Sequence, residues 1–178
     1  MPRLQRLEAD QGDPKSQQMI KDLEGKKLAL NIFRGMANSP AALDAYLKFS
    51  GALAGGKLDG KTREAIALAV GQVNRCEYCL AAHTFLGKKA GLDDAAVKEA
   101  RQGRSADAKA QAAVVLAQRV VETRGRVTDA EIAAAKAAGL DDGDIAEVVA
   151  NVAVNLFTNY FNNLNQTDVD FPKVAVEL

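Results

Sequence analysis

The only two cysteines and the only histidine of the chain sit together, in the stretch Cys76-Glu77-Tyr78-Cys79-Leu80-Ala81-Ala82-His83. Cys79 follows Cys76 by three positions, and His83 follows Cys79 by four. A helix turns about 100° per residue, so these three side chains share one face. The two thiols are close enough to close a disulfide with modest adjustment. His83 reaches the thiol of Cys79 one turn away.

This arrangement suits thiol redox chemistry. A cysteine at a helix N-terminus has its thiolate stabilised by the macrodipole. An imidazole one turn away accepts the thiol proton. A second thiol captures a sulfenic acid before it oxidises further. Zinc is the competing use of a C-x-x-C pair, but closed zinc sites draw four ligands from cysteine and histidine. Here three such residues exist in the whole chain; Glu64 could supply an oxygen, but a closed site of two thiolates, one imidazole and one carboxylate would be unusual. By position alone Glu64 reads either as a charge in the first turn of the preceding helix, where an acid suits the dipole, or as a group facing the later part of the cysteine-bearing helix.

The elements that must hold these residues read as helices. Of the 178 residues 48% are hydrophobic and only 5% aromatic, with no tryptophan. Many of the hydrophobic residues are alanine, the best helix former, whereas strands favour β-branched and aromatic residues. The expected fold is all-α, a single-domain helical bundle of seven to eight helices spanning 14–178 behind a flexible arm at 1–13. Asp13-Pro14 and Ser39-Pro40 are helix starts, with a cap followed by proline at the first position. They open helices to about Phe33 and Ala54. Asp59 or Gly60 starts a third helix to about Asn74, and a fourth runs from about Cys76 to Ala90, stopped by Gly91. Asp93 caps a short helix, Ser105 a long one to about Arg124, and Thr128 with Glu131 forms a capping box. The last helix covers about 142–162, and the tail through Asp170-Phe171-Pro172 is expected to be extended. On the last helix Asn151, Asn155, Asn159 and Asn162 form a polar stripe. It is either a pocket lining, an inter-subunit ladder or a solvated face.

Composition also excludes partners. Lys+Arg and Asp+Glu are both 23, which gives a formal net charge of zero and no electrostatic footprint for nucleic acid or an anionic membrane. No apolar run is long enough to cross a bilayer, and the polar start of the chain lacks a signal-peptide core. The expected location is cytoplasmic, where thiols are kept reduced. No phosphate-cradling glycine loop is present, and no bound cofactor is expected.

Glu64, eleven intervening residues and then C-x-x-C-x-x-x-H resembles the alkylhydroperoxidase D-like, carboxymuconolactone decarboxylase family. The resemblance extends through about residues 40–91 and also touches the Asn-rich helix and the Asp168–Pro172 tail. It implies an all-helical homo-oligomer, a trimer or hexamer, with thiol-dependent peroxidase activity. By matching position Cys79 would attack the peroxide, Cys76 would resolve it, and His83 with Glu64 would relay protons. The helix N-terminus favours Cys76 as nucleophile, whereas contact with His83 and the resemblance favour Cys79, which is the assignment taken. Where the best-studied members have a histidine before the second cysteine, this chain has Tyr78, a poor base near neutral pH. The implied partners are a small peroxide and an external thiol reductant. The alternatives are a redox sensor without turnover and a lyase using His83 as its base.

Overall fold

The computed structural model describes residues 1–178 and contains nine helices and no strand. They are α1 (Pro14–Gly25), α2 (Asn31–Met36), α3 (Pro40–Ala54), α4 (Gly60–Val73), α5 (Glu77–Ala90), α6 (Asp94–Arg101), α7 (Ala108–Thr123), α8 (Asp129–Ala137) and α9 (Asp142–Asn165). Seven of the eight expected helices occur as single elements. The first divides into α1 and α2. Its break is a Schellman motif built without glycine at the left-handed position. Lys27 takes φ 57°, Lys27 N–H bonds Glu24 C=O at 2.9 Å, and Leu28 N–H bonds Leu23 C=O at 2.8 Å. Asp107, not Ser105, caps α7, because its carboxylate accepts from Ala110 N–H. The last helix runs on to Asn165, three residues past its expected end.

The other starts follow the residues that announce them. Asp13, Ser39, Asp59 and Asp93 each accept a backbone N–H of their first turn. Thr128 and Glu131 form the reciprocal capping box. A second capping box joins Asp141 and Asp144 at the start of α9. Asp144 is buried and pairs with Lys109 on α7 at 2.9 Å, which holds its carboxyl below the usual range.

Helix α4 is the axis of the bundle. It packs against α5, α6, α7 and α9, and every residue from Ala65 to Gly71 is buried. A helix that is apolar on all sides is stable only when other helices enclose it. Around it lies a core of Ile66, Leu68, Val70, Leu80, Val114 and Val148, each fully buried. A second cluster fills the space between α1, α2, α3 and α5, and contains Ile20, Met36, Leu43, Tyr78 and both cysteines.

The ends of the chain pack onto this frame without helix or strand. Arg3 N–H bonds Asn165 C=O, Leu4 N–H bonds the Asn165 side chain at 2.7 Å, and Leu7 is buried. At the other end, Gln72 and Arg101 donate to the carbonyl of Val176. No helix is long and apolar enough to cross a membrane.

Leu68 lies on the enclosed axis with no exposed surface. Leu68→Ala should lower the unfolding free energy by about 2–5 kcal/mol, the usual range for a leucine truncated in a packed core. Denaturant unfolding followed by circular dichroism measures this.

Candidate redox site

Helices α4 and α5 are joined by only three residues, Asn74, Arg75 and Cys76. Helix α4 ends in another Schellman motif. Arg75 N–H bonds Gln72 C=O, Cys76 N–H bonds Gly71 C=O at 3.0 Å, and Arg75 adopts φ 51°. Cys76 is therefore the last residue of one motif and the N-cap of the next helix. Its Sγ accepts from Cys79 N–H at 3.2 Å. The site is anchored to the turn that reverses the chain.

Cys76 and Cys79 are joined in a disulfide, with Cα atoms 5.2 Å apart. Both are almost completely buried. The two sulfurs that a zinc site would use are bonded to each other, and no cluster of three or more His, Cys, Asp or Glu side chains is arranged to hold a metal ion.

Glu64 Cβ lies beside Gly87, in the later part of α5, as plain antiparallel geometry requires, and its carboxylate reaches back one turn to His83. His83 Nδ1 and Glu64 Oε2 are 2.8 Å apart, and each side chain keeps 21% of its surface exposed. An ionised carboxylate only accepts hydrogen bonds, so Nδ1 carries the proton in this pair. In the neutral imidazole that leaves Nε2 with its lone pair, the one ring nitrogen able to take a proton. The structure thus brings together all four expected residues: Cys76 and Cys79 by a bond, His83 and Glu64 by a hydrogen bond.

A cavity of about 270 Å³ opens onto Cys79, His83 and Glu64. Its wall is mostly apolar, with Leu30, Phe33, Leu53, Leu86 and Phe171 contributing. Asn151, Asn155 and Thr158 of α9 add a polar strip. Cys76 does not line it, so Cys79 is the one cysteine of the pair in the cavity wall. Tyr46, also in the wall, has its phenol pushed up in pKa, chiefly by burial, against a downward pull from its hydrogen bond with Ser50 and with a smaller upward push from the charge of Glu64.

The asparagine stripe is buried rather than solvated. Asn151, Asn155, Asn159 and Asn162 are each at most 6% exposed. Asn159 Oδ1 accepts from Asn74 Nδ2 at 2.9 Å, and Asn163 Nδ2 donates to Asn74 C=O at 3.0 Å. Helix α9 therefore grips the three-residue turn that carries Cys76. Asn162 Nδ2 reaches Cys79 Sγ at 3.5 Å.

Sequence reasoning missed the role of the tail. Tyr78 is buried, and its hydroxyl donates to Asp170 Oδ2 at 2.6 Å. Burial, with Asp170 adding to it, pushes the phenol pKa well up, so it stays protonated. Asp170 Oδ2 also accepts from Asn31 N–H at 2.9 Å. Beside it, Phe171 packs edge-on to Tyr78 and tilted against Phe85 at ring separations of 5.9 and 5.6 Å. Tyr78 thus ties a strap, residues 168–172, over one wall of the cavity. Tyr78 and Asp170 are 92 positions apart, and neither has a local pattern that pairs them.

Tyr78→Phe removes a buried donor to a charged acceptor, a bond of about 1.5–3 kcal/mol. Amide exchange at residues 168–171 should quicken while the core helices stay protected. Unchanged exchange would show that Phe171 packing alone holds the strap.

Residues 40–123 match the carboxymuconolactone decarboxylase family. A stretch of 45 residues is 53% identical to an uncharacterized protein of Haemophilus influenzae; it spans 25% of this chain and 40% of that relative. The fold is that of an alkylhydroperoxidase AhpD core, an uncharacterized peroxidase-related protein from Ralstonia eutropha JMP134. The TM-score is 0.84 at 21% identity, over 95% of this chain and 92% of the other. A peroxidase-related protein from Silicibacter sp. TM1040 superposes with TM-score 0.77 at 19% identity, over 98% and 96% of the two chains. A debrominase in its apo form follows at TM-score 0.73 and 15% identity, over 88% and 87%. These structural likenesses carry the fold. The match to the carboxymuconolactone decarboxylase family covers residues 40–123, the segment that holds Glu64, Cys76, Cys79 and His83.

Proposed function

We propose that this chain is a thiol-dependent peroxidase that acts on organic hydroperoxides or hydrogen peroxide and cycles through the Cys76–Cys79 disulfide. The observation that carries this reading is the asymmetry of the pair. Cys79 faces an apolar cavity shared with a Glu64–His83 hydrogen bond, and Cys76 stands behind it.

His83 Nε2 takes the Cys79 proton, and the imidazolium is stabilised by Glu64. The thiolate attacks the distal oxygen of the hydroperoxide, and the O–O bond breaks. The departing alkoxide takes the proton from His83 and leaves as an alcohol, with Cys79 now a sulfenic acid. The Cys76 sulfur attacks Cys79 Sγ, the S–O bond breaks, and water leaves as the disulfide forms. Two electrons from an external thiol reductant reopen it. No metal or organic cofactor takes part in these steps. The apolar wall gives the organic part of a hydroperoxide a dry seat, and it favours such substrates over hydrogen peroxide.

A redox sensor is the second reading, and Tyr78 favours it. This residue lies between the cysteines and holds the Asp168–Pro172 strap, so a change at the sulfurs has a direct route to the tail. A sensor would oxidise stoichiometrically and stop. A lyase using His83 as base would keep its activity when both cysteines are serine.

We also infer a homo-oligomer. Helix α3 buries only Leu43 of its fifteen residues, and α9 leaves Val149, Phe157, Tyr160 and Leu164 exposed on one side. Apolar stripes of this kind cover one another between copies. Light scattering of the purified chain should give a trimer or hexamer, and a monomer at micromolar concentration would contradict this.

Steady-state consumption of cumene hydroperoxide with a dithiol donor tests the main reading. Cys79→Ser should abolish it. Cys76→Ser should leave a single oxidation event and no intramolecular disulfide. His83→Gln should slow turnover by about 10²–10⁴-fold, the usual contribution of a positioned proton-transfer group. Full turnover in Cys79→Ser would sink the assignment.

A further inference from the structure

The four asparagines of the α9 stripe do not behave alike. Asn151 and Asn155 turn their amides back onto their own helix, donating to the carbonyls of Glu147 and Asn151 at 2.8 Å. Asn159 accepts from Asn74 on the α4–α5 turn. Asn162 does neither. Its Nδ2 points at Cys79 Sγ, 3.5 Å away, and that sulfur is the only hydrogen-bond partner its amide has. Its Oδ1 is buried with no donor beside it, and the residue is 4% exposed.

The orientation of this amide follows from chemistry. A disulfide sulfur has lone pairs and no hydrogen, so it can only accept, and the nitrogen end must face it. Neutral sulfur is a weak acceptor. A buried primary amide with one weak contact and an unpaired oxygen is a poor choice for packing, where a leucine would avoid the desolvation cost. The same amide becomes a strong partner once the sulfur carries a charge, because hydrogen bonds to ions are shorter and about twice as strong as neutral ones.

We propose that Asn162 stabilises the Cys79 thiolate through Nδ2–H and thereby helps to make Cys79, rather than Cys76, the attacking sulfur. This rests on the thiol-redox reading of the site. The two sulfurs of the reduced pair compete for one negative charge, since two adjacent thiolates repel. Cys76 holds the helix N-terminus and the Cys79 backbone N–H. Asn162 supplies Cys79 with a donor that offsets that advantage. It transfers no proton and no electron.

The test uses the full chain with Cys76→Ser, so that one thiol titrates. The thiol pKa of Cys79 is read from the pH dependence of iodoacetamide alkylation. Asn162→Leu should raise it and cut the thiolate fraction at neutral pH by about tenfold, the effect of one hydrogen bond to a charged group. Asn162→Asp keeps the shape, replaces the donor with an anion, and should raise it further. Thermal melting establishes that each variant is folded, and either variant alone decides the question. A folded variant with the parent pKa would overturn the proposal, as would a lower pKa in Asn162→Asp. Alkylation requires no peroxide. A raised pKa in a chain that never consumes peroxide would therefore leave this inference standing and remove the peroxidase reading instead.

Discussion

The site depends on a short turn. Helix α4 must stop and α5 must start within Asn74, Arg75 and Cys76. The Schellman motif and the N-cap overlap on Cys76, which fixes the backbone of the first cysteine from both sides. A turn this short forces α5 back along α4. That return places Glu64 against His83 nineteen residues later and brings both to the cavity that Cys79 faces. Lengthening the turn would move His83 relative to Glu64, so the proton-handling pair and the dithiol are products of one constraint.

Helix α9 is the second support, and its chemistry is unusual for a helix interior. Asparagine is a mediocre helix former because its amide competes with the backbone. Here that competition is spent on useful partners. Two of the amides bond back to their own helix, Asn159 and Asn163 hold the turn through Asn74, and Asn162 reaches the sulfur. The stripe joins the cavity wall to the turn and to Cys79 along one helix face.

Much of this was legible in the sequence, for stated physical reasons. Ser39-Pro40, Asp13-Pro14 and the Thr128–Glu131 box mark helix starts because their side chains satisfy first-turn N–H groups, and the structure uses each as a cap. The i,i+3 and i,i+4 spacing put Cys76, Cys79 and His83 on one face because a helix fixes that geometry locally. Spacing alone also placed Glu64 opposite the later part of α5, where its Cβ meets Gly87, but not the turn of its carboxylate back to His83. Other features were not legible. Lys27 ends α1 in a left-handed conformation that sequence readers expect of glycine or asparagine, so α1 and α2 merged. The burial of the asparagine stripe could not be told from a solvated face until its partners on α4 and α5 were known. Tyr78 and Asp170 meet only through the tertiary path of the tail. The Tyr78 phenol is held protonated by burial and by Asp170. Tyr78 therefore cannot supply the base that a histidine would at its position, and its role is to hold the strap.

The central claim is that Cys79 is the sulfur that meets the peroxide and Cys76 the one that closes the disulfide. Mass-spectrometric thiol mapping of the fully reduced protein after one equivalent of cumene hydroperoxide, with a sulfenic-acid trap present, tests it most directly. The account predicts trapped adduct on Cys79 only, with the untrapped fraction converted to the Cys76–Cys79 disulfide. Adduct confined to Cys76, or two thiols left untouched by the hydroperoxide, would contradict it.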